Sequence, residues 1–85
     1  MLAYILLGVQ PNTEDKVYTK LKKLKEVRAV NIMFGSWDVV AQVEVASTQA
    51  LNEFMLDKIR KIPEVSLTAT MIVAKWELGI TLISP

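Results

Sequence analysis

The pattern of apolar runs in this chain predicts an α+β fold, in which a four-stranded antiparallel sheet carries two helices on one face. Three observations lead there. The sequence falls into two similar halves, each a strand-like apolar run followed by apolar residues at helical spacing. In the middle, two β-rich runs are separated only by Gly35, Ser36 and Trp37, the length of a hairpin connection. The resulting order of strand, helix, strand, strand, helix, strand is that of split β-α-β units in a ferredoxin-like arrangement.

The elements follow in chain order. Ala3 to Val9 is a short apolar run and reads as the first strand. P-N-T-E-D then supplies a turn, a helix cap at Asn12 or Thr13, and acids that suit the positive end of a helix dipole. Val17, Leu21 and Leu24 recur at helical spacing, and lysines at 20, 22, 23 and 25 crowd the far end, so a helix from about Thr13 to Lys25 is expected.

V-R-A-V-N-I-M-F and D-V-V-A-Q-V-E-V are the two hairpin strands, with the turn relieved by Gly35. Ser47 or Thr48 caps a second helix whose apolar stripe is Leu51, Met55, Ile59 and Ile62, and Pro63 marks its end. S-L-T-A-T-M-I-V-A-K reads as a long last strand of the sheet. E-L-G-I-T-L-I-S, after it, is expected to add a short C-terminal strand able to pair with a neighbouring subunit's edge.

Composition removes whole classes of function. Of 85 residues, ten are basic and nine acidic, so a formal charge of +1 offers no strong field for nucleic acid or an anionic membrane. There is no cysteine and no histidine, which takes away thiolate chemistry, the commonest general base and the commonest metal ligand. No cofactor or metal is therefore expected. Glu14, Asp15, Glu53 and Asp57 lie at helix starts or on helix surfaces and form no acid–base pair. Met33, Met55 and Met71 read as gap fillers in a core or interface, and Lys20 to Arg28 as a solvated face. The apolar N-terminus is cut by Gly8, Gln10 and Pro11, too early for a membrane span. A cytoplasmic protein is expected.

The strands also predict a partner. In the first, Ala3, Ile5, Leu7 and Val9 alternate with Leu2, Tyr4 and Leu6, and both sets are apolar. In the last, Leu67, Ala69, Met71 and Val73 oppose Ile72, Ala74 and Trp76. Helices cover one face only, so a second copy is expected to cover the other as a sheet-to-sheet homodimer, with further assembly into a higher homo-oligomer. Asn31, Gln42, Glu44, Thr68 and Thr70 then need hydrogen-bond partners or water.

The segments V-R-A-V-N-I-M-F-G-S-W-D-V-V-A-Q-V-E-V, L-N-E-F-M-L-D-K-I-R-K-I-P-E-V and T-A-T-M-I-V resemble the effector-sensing C-terminal domain, the RAM module, of the Lrp/AsnC (feast/famine) transcription regulators. The resemblance runs from Ala3 through Trp76. It implies a small-molecule effector, an amino acid by preference, bound where subunits meet. By motif the ligand residues would be Gly35, Ser36, Trp37 and Asp38 from the turn, with Thr68, Thr70 and Met71 from the last sheet strand. Asp38 suits an ammonium group, the N–H groups around Gly35 and Ser36 suit a carboxylate, and the threonine hydroxyls add hydrogen bonds. Trp37 is bulkier than the turn residues of some relatives and would restrict the pocket or stack on its contents.

In those regulators a helix-turn-helix domain precedes the first strand, whereas this sequence starts at that strand with Met1. A single domain over 1–85 with no DNA-binding domain is expected, which would not bind DNA directly but could assemble with a full-length Lrp/AsnC regulator. Each feature also has a plainer reading: Asp38 as turn punctuation, the tryptophans as packing anchors, the threonines as ordinary strand formers. Besides a sensor module, two other classes fit: a small dimeric α+β barrel enzyme, and a structural oligomer without ligand.

Overall fold

The computed structural model describes residues 1–75. Its elements are β1 (Leu2–Val9), α1 (Glu14–Leu21), β2 (Val27–Ile32), β3 (Val39–Glu44), α2 (Thr48–Phe54), continued by a π-helical turn over Met55–Ile59, and β4 (Val65–Ile72). The sheet order is β2-β3-β1-β4 and every pairing is antiparallel. This is the ferredoxin-like architecture that the sequence predicts. The expected C-terminal strand, and Trp76, lie outside the described residues.

The core forms because alternate residues of the two central strands face the helices. Ala3, Ile5, Leu7 and Val9 of β1 and Val39, Ala41 and Val43 of β3 are buried against Val17 and Leu21 of α1 and against Leu51, Phe54, Ile59 and Ile62. No polar or charged residue is buried among the described residues. Cross-strand partners share a face, so the register assigns Leu2, Tyr4, Leu6, Val40, Leu67, Ala69 and Met71 to the opposite face. That face has no layer over it. Two polar pairs form within the sheet: Gln42 Nε2 donates to the Tyr4 hydroxyl at 3.3 Å, and Arg28 pairs with Glu44 at 3.0 Å.

The structure departs from expectation at several points. The first helix stops at Leu21 rather than Lys25, because Leu24 is packed against the core by a tight turn, its N–H bonding Leu21 O at 3.0 Å, before the chain enters β2. Thr13 holds the cap position, yet its Oγ1 donates to Gln10 O at 2.6 Å and caps no helical N–H. Asn12 instead makes the bend, at φ 65°, a left-handed conformation that asparagine tolerates. At the second helix Ser47 caps as expected, its Oγ accepting from Ala50 N–H at 3.1 Å.

The apolar stripe of the second helix is the next difference. Arg60 N–H bonds Met55 O at 2.9 Å, a span of five residues, and the wider turn brings Phe54 and Ile59 to the same buried side. Met55, expected in the stripe, is only partly buried. The hairpin strands also end early: Met33 and Phe34 leave β2, although Met33 N–H still bonds Asp38 O at 2.8 Å. Phe34 is 103% exposed and Gly35 takes φ 147°, a backbone that favours glycine. β4 ends at Ile72 rather than Lys75, since after Val73 N–H bonds Leu2 O there is almost no β1 left to pair with.

Three ion pairs tie connections to helices. Glu64, just before β4, meets Lys20 at 2.9 Å and Lys16 at 3.6 Å on α1. The hydrogen bond from the Lys20 ammonium, helped by the charge of Lys16, holds the Glu64 carboxyl below the usual glutamate range. Lys58 reaches Glu26 at 3.3 Å. No helix among the described residues is long and apolar enough to cross a membrane.

Candidate ligand site at the hairpin turn and the β4 edge

Asp38 is held by three hydrogen bonds, two to β1 and one to the residue just after β2. Its N–H donates to Leu7 O on β1 at 3.0 Å, its carbonyl accepts from Met33 beyond β2 at 2.8 Å, and its Oδ2 accepts from Val9 N–H at 2.9 Å. The β1–β3 register ends at Leu7 opposite Val39. The next β1 donor on that side, Val9 N–H, would face the departing turn with no carbonyl opposite, and the Asp38 carboxylate fills that place. Asp38 is therefore punctuation in the physical sense, replacing a backbone acceptor. Its second oxygen, Oδ1, has no hydrogen-bond partner among the described residues.

Asp38 borders an open groove of about 510 Å³, lined also by Glu14, Asp15, Ile32, Met33, Phe34 and Gly35. Three carboxylates and no cation line it, so it favours a positively charged group, with Met33 and Phe34 offering apolar contact. The start of α1 and the end of β2 meet here because the turn and the P-N-T-E-D segment lie at the same end of the sheet. Gly35 lines this groove; Ser36 is exposed beside it and Trp37 is half-buried.

The other expected residues lie elsewhere. Thr68 and Thr70 face the helix layer, opposite Leu7 and Ile5 of β1. They line a separate groove of about 370 Å³ with Asn52, Met55, Leu56 and Arg60. Met71, opposite Tyr4, belongs to the open sheet face. Val39, Leu7 and Thr68 are consecutive cross-strand neighbours, so about 10 Å, two strand spacings, separates the turn from Thr68 within one chain. A single chain thus places the seven residues in three regions. In the sequence Glu14 and Asp15 mark only a helix start, and nothing distinguishes Asn52 or Arg60. Their sequence signal was weak, because both grooves arise from elements packing side by side.

Comparison with known proteins agrees with this architecture. The family model described as the Lrp/AsnC ligand binding domain matches residues 2–76. An HTH-type transcriptional regulator of Pyrococcus furiosus is 40% identical over 79 residues, covering 89% of this chain and 53% of that regulator. The chain spans about half the length of the curated relatives it matches. Among solved structures, FFRP-DM1 superposes with a TM-score of 0.81 at 35% identity, over 85% of this chain and 96% of its own. A transcriptional regulator of Neisseria meningitidis, solved as a complex with L-Met, shares the fold at a TM-score of 0.80 and 20% identity, over 87% of this chain and 49% of its own. On the family match across nearly its whole described length and on the likeness to these regulators, the chain belongs to the Lrp/AsnC family, by way of its ligand-binding domain.

Proposed function

We propose that this protein is an effector-sensing module that binds a small molecule, an amino acid, where subunits meet, and so changes its own assembly or that of a partner regulator. The observation that carries this reading is the acidic groove at the hairpin turn, lined by the carboxylate residues Glu14, Asp15 and Asp38 and by exposed Met33 and Phe34. An α-ammonium would pair there, and an apolar side chain would rest on the exposed residues. That a Neisseria relative of the same fold was solved with L-Met lends the ligand class support.

Thr68, Thr70 and Met71 would join Gly35, Ser36, Trp37 and Asp38 only from another subunit, since one chain keeps them apart. A ligand shared in this way stabilises the assembly that completes its site, in proportion to its preference for that assembly. The sheet-to-sheet homodimer draws support from the apolar open face, on which Tyr4, Leu67 and Met71 are exposed in the isolated chain. In this reading residues 1–85 act as one binding domain in the cytoplasm and catalyse no reaction. The partner in this reading is a full-length Lrp/AsnC regulator sharing the same sheet face.

A thermal-shift screen of the twenty amino acids on the wild type and Asp38→Asn tests the reading. Asparagine keeps an acceptor for Val9 N–H and removes the charge, so a stabilisation seen in the wild type and lost in Asp38→Asn supports a sensor. A second reading, a structural oligomer without ligand, is favoured by the use of the Asp38 carboxylate as a backbone substitute. It predicts no response to any amino acid.

A further inference from the structure

We infer that the groove between the π-helical turn and the free edge of β4 is a binding site for small aliphatic carboxylates that carry no ammonium group, such as 2-oxo acids, with Arg60 as the carboxylate anchor. The lining is Asn52, Met55, Leu56, Arg60, Thr68 and Thr70: one cation, no anion, three neutral polar side chains and two apolar ones. Its charge is the reverse of the turn groove's.

Three observations carry it. Among the described residues, none of the four polar lining side chains has a hydrogen-bond or ion-pair partner. The guanidinium, the two hydroxyls and the carboxamide all keep their capacity for a ligand. Arg60 also lines the adjoining groove with Val65, Ser66, Leu67 and Thr68, so its side chain lies along the strand edge.

The second observation is the phase of the β1–β4 ladder. Val73 N–H bonds Leu2 O, and alternation makes Met71, Ala69 and Leu67 the residues whose main chain pairs with β1. The N–H and C=O groups of Thr68 and Thr70 therefore point to the outer edge. Hydroxyls and main-chain donors of the same two residues thus border one space.

The third is the π-helical turn itself. The five-residue bond from Arg60 N–H to Met55 O sets Arg60 immediately after the widened turn, while Leu56 stays 57% exposed at the groove. Such turns recur at functional positions in helices. A carboxylate would receive two parallel N–H bonds from the guanidinium, and its short aliphatic tail would lie on Met55 and Leu56. A simple carboxylate needs no partner for an ammonium group, and the groove holds no carboxylate to provide one.

The inference rests on the proposed function in one respect only, that Thr68 and Thr70 face a ligand. The test is a titration of 15N-labelled protein with 4-methyl-2-oxopentanoate, followed by amide shifts, in the wild type, Arg60→Gln and Asp38→Asn, with leucine and isobutylamine as comparison probes. Saturable shifts at Thr68, Thr70 and Leu56 to Arg60 are expected for the oxo acid and not for the amine. Affinity should fall about tenfold or more in Arg60→Gln, the loss of a charge-assisted pair, and stay unchanged in Asp38→Asn. Absence of saturable shifts there, or equal affinity in Arg60→Gln, overturns the inference. Leucine shifting Gly35 to Asp38 while the oxo acid leaves Arg60 untouched would overturn the groove and leave the sensor reading standing. Oxo-acid binding at Arg60 with no amino-acid response would support the groove and remove that reading.

Discussion

The Asp38 carboxylate accepts the Val9 main-chain N–H at 2.9 Å, and this side-chain bond continues the β1–β3 pairing at the point where the β3 main chain turns away. Val9 is only 8% exposed, so its N–H would otherwise face a poorly solvated strand end.

Removing that acceptor should be felt. Asp38→Ala is expected to lower stability by about 1–2 kcal/mol, the cost of an unsatisfied, largely buried donor. Asp38→Asn should cost less than half as much, because its amide oxygen can take the bond. Urea unfolding of the two variants measures this, and equal losses would show that the Val9 bond contributes nothing.

The widened turn after α2 makes its own prediction. Phe54→Ala should destabilise by about 3–4 kcal/mol, as truncation of a large buried ring does. Met55→Ala should cost clearly less, since Met55 is only partly buried. A regular α-helical stripe through Met55 would reverse that order.

Acid should weaken the tie between Glu64 and α1. The folded-state pKa of Glu64 is lowered by the Lys20 hydrogen bond, so its stabilisation is present in full above the ordinary value of 4.5 and is lost as pH falls through the folded value. The stability difference between wild type and Glu64→Gln should shrink below about pH 4.5. A difference that stays constant down the acid limb would refute the pairing.

The open sheet face can be tested without touching the core. Leu6 points away from the helices between Val40 and Ala69. For the proposed sheet-to-sheet dimer, Leu6→Asp is expected to leave the circular dichroism spectrum intact and to give monomers by light scattering where the wild type gives dimers, since a charge is costly in an apolar interface. A variant that remains dimeric would place the interface elsewhere.

Much of this was legible in the residues. Because both alternating sets of β1 are apolar, the residues pointed to two covered faces, but only the structure shows that Ala3, Ile5, Leu7 and Val9 are the set that meets the helices. The π-helical turn was not legible, because Leu51, Met55 and Ile59 satisfy a regular helical period and nothing local marks the extra residue. Nor was the Val9–Asp38 bond, which links positions 29 residues apart through a register known only once the sheet is formed. The candidate site was half legible: the turn stood out through Gly35 and Asp38, whereas the acids of α1 and Arg60 reach their grooves through packing alone.

The central claim is that an amino acid and the assembly of subunits are linked through the Asp38 turn. Sedimentation velocity of the wild type and Asp38→Asn, each with and without the amino acid that stabilises the wild type most, tests it directly. The account predicts a shift to larger species on adding the amino acid to the wild type and none in Asp38→Asn. Binding with an unchanged sedimentation profile, or the same shift in both proteins, would contradict it.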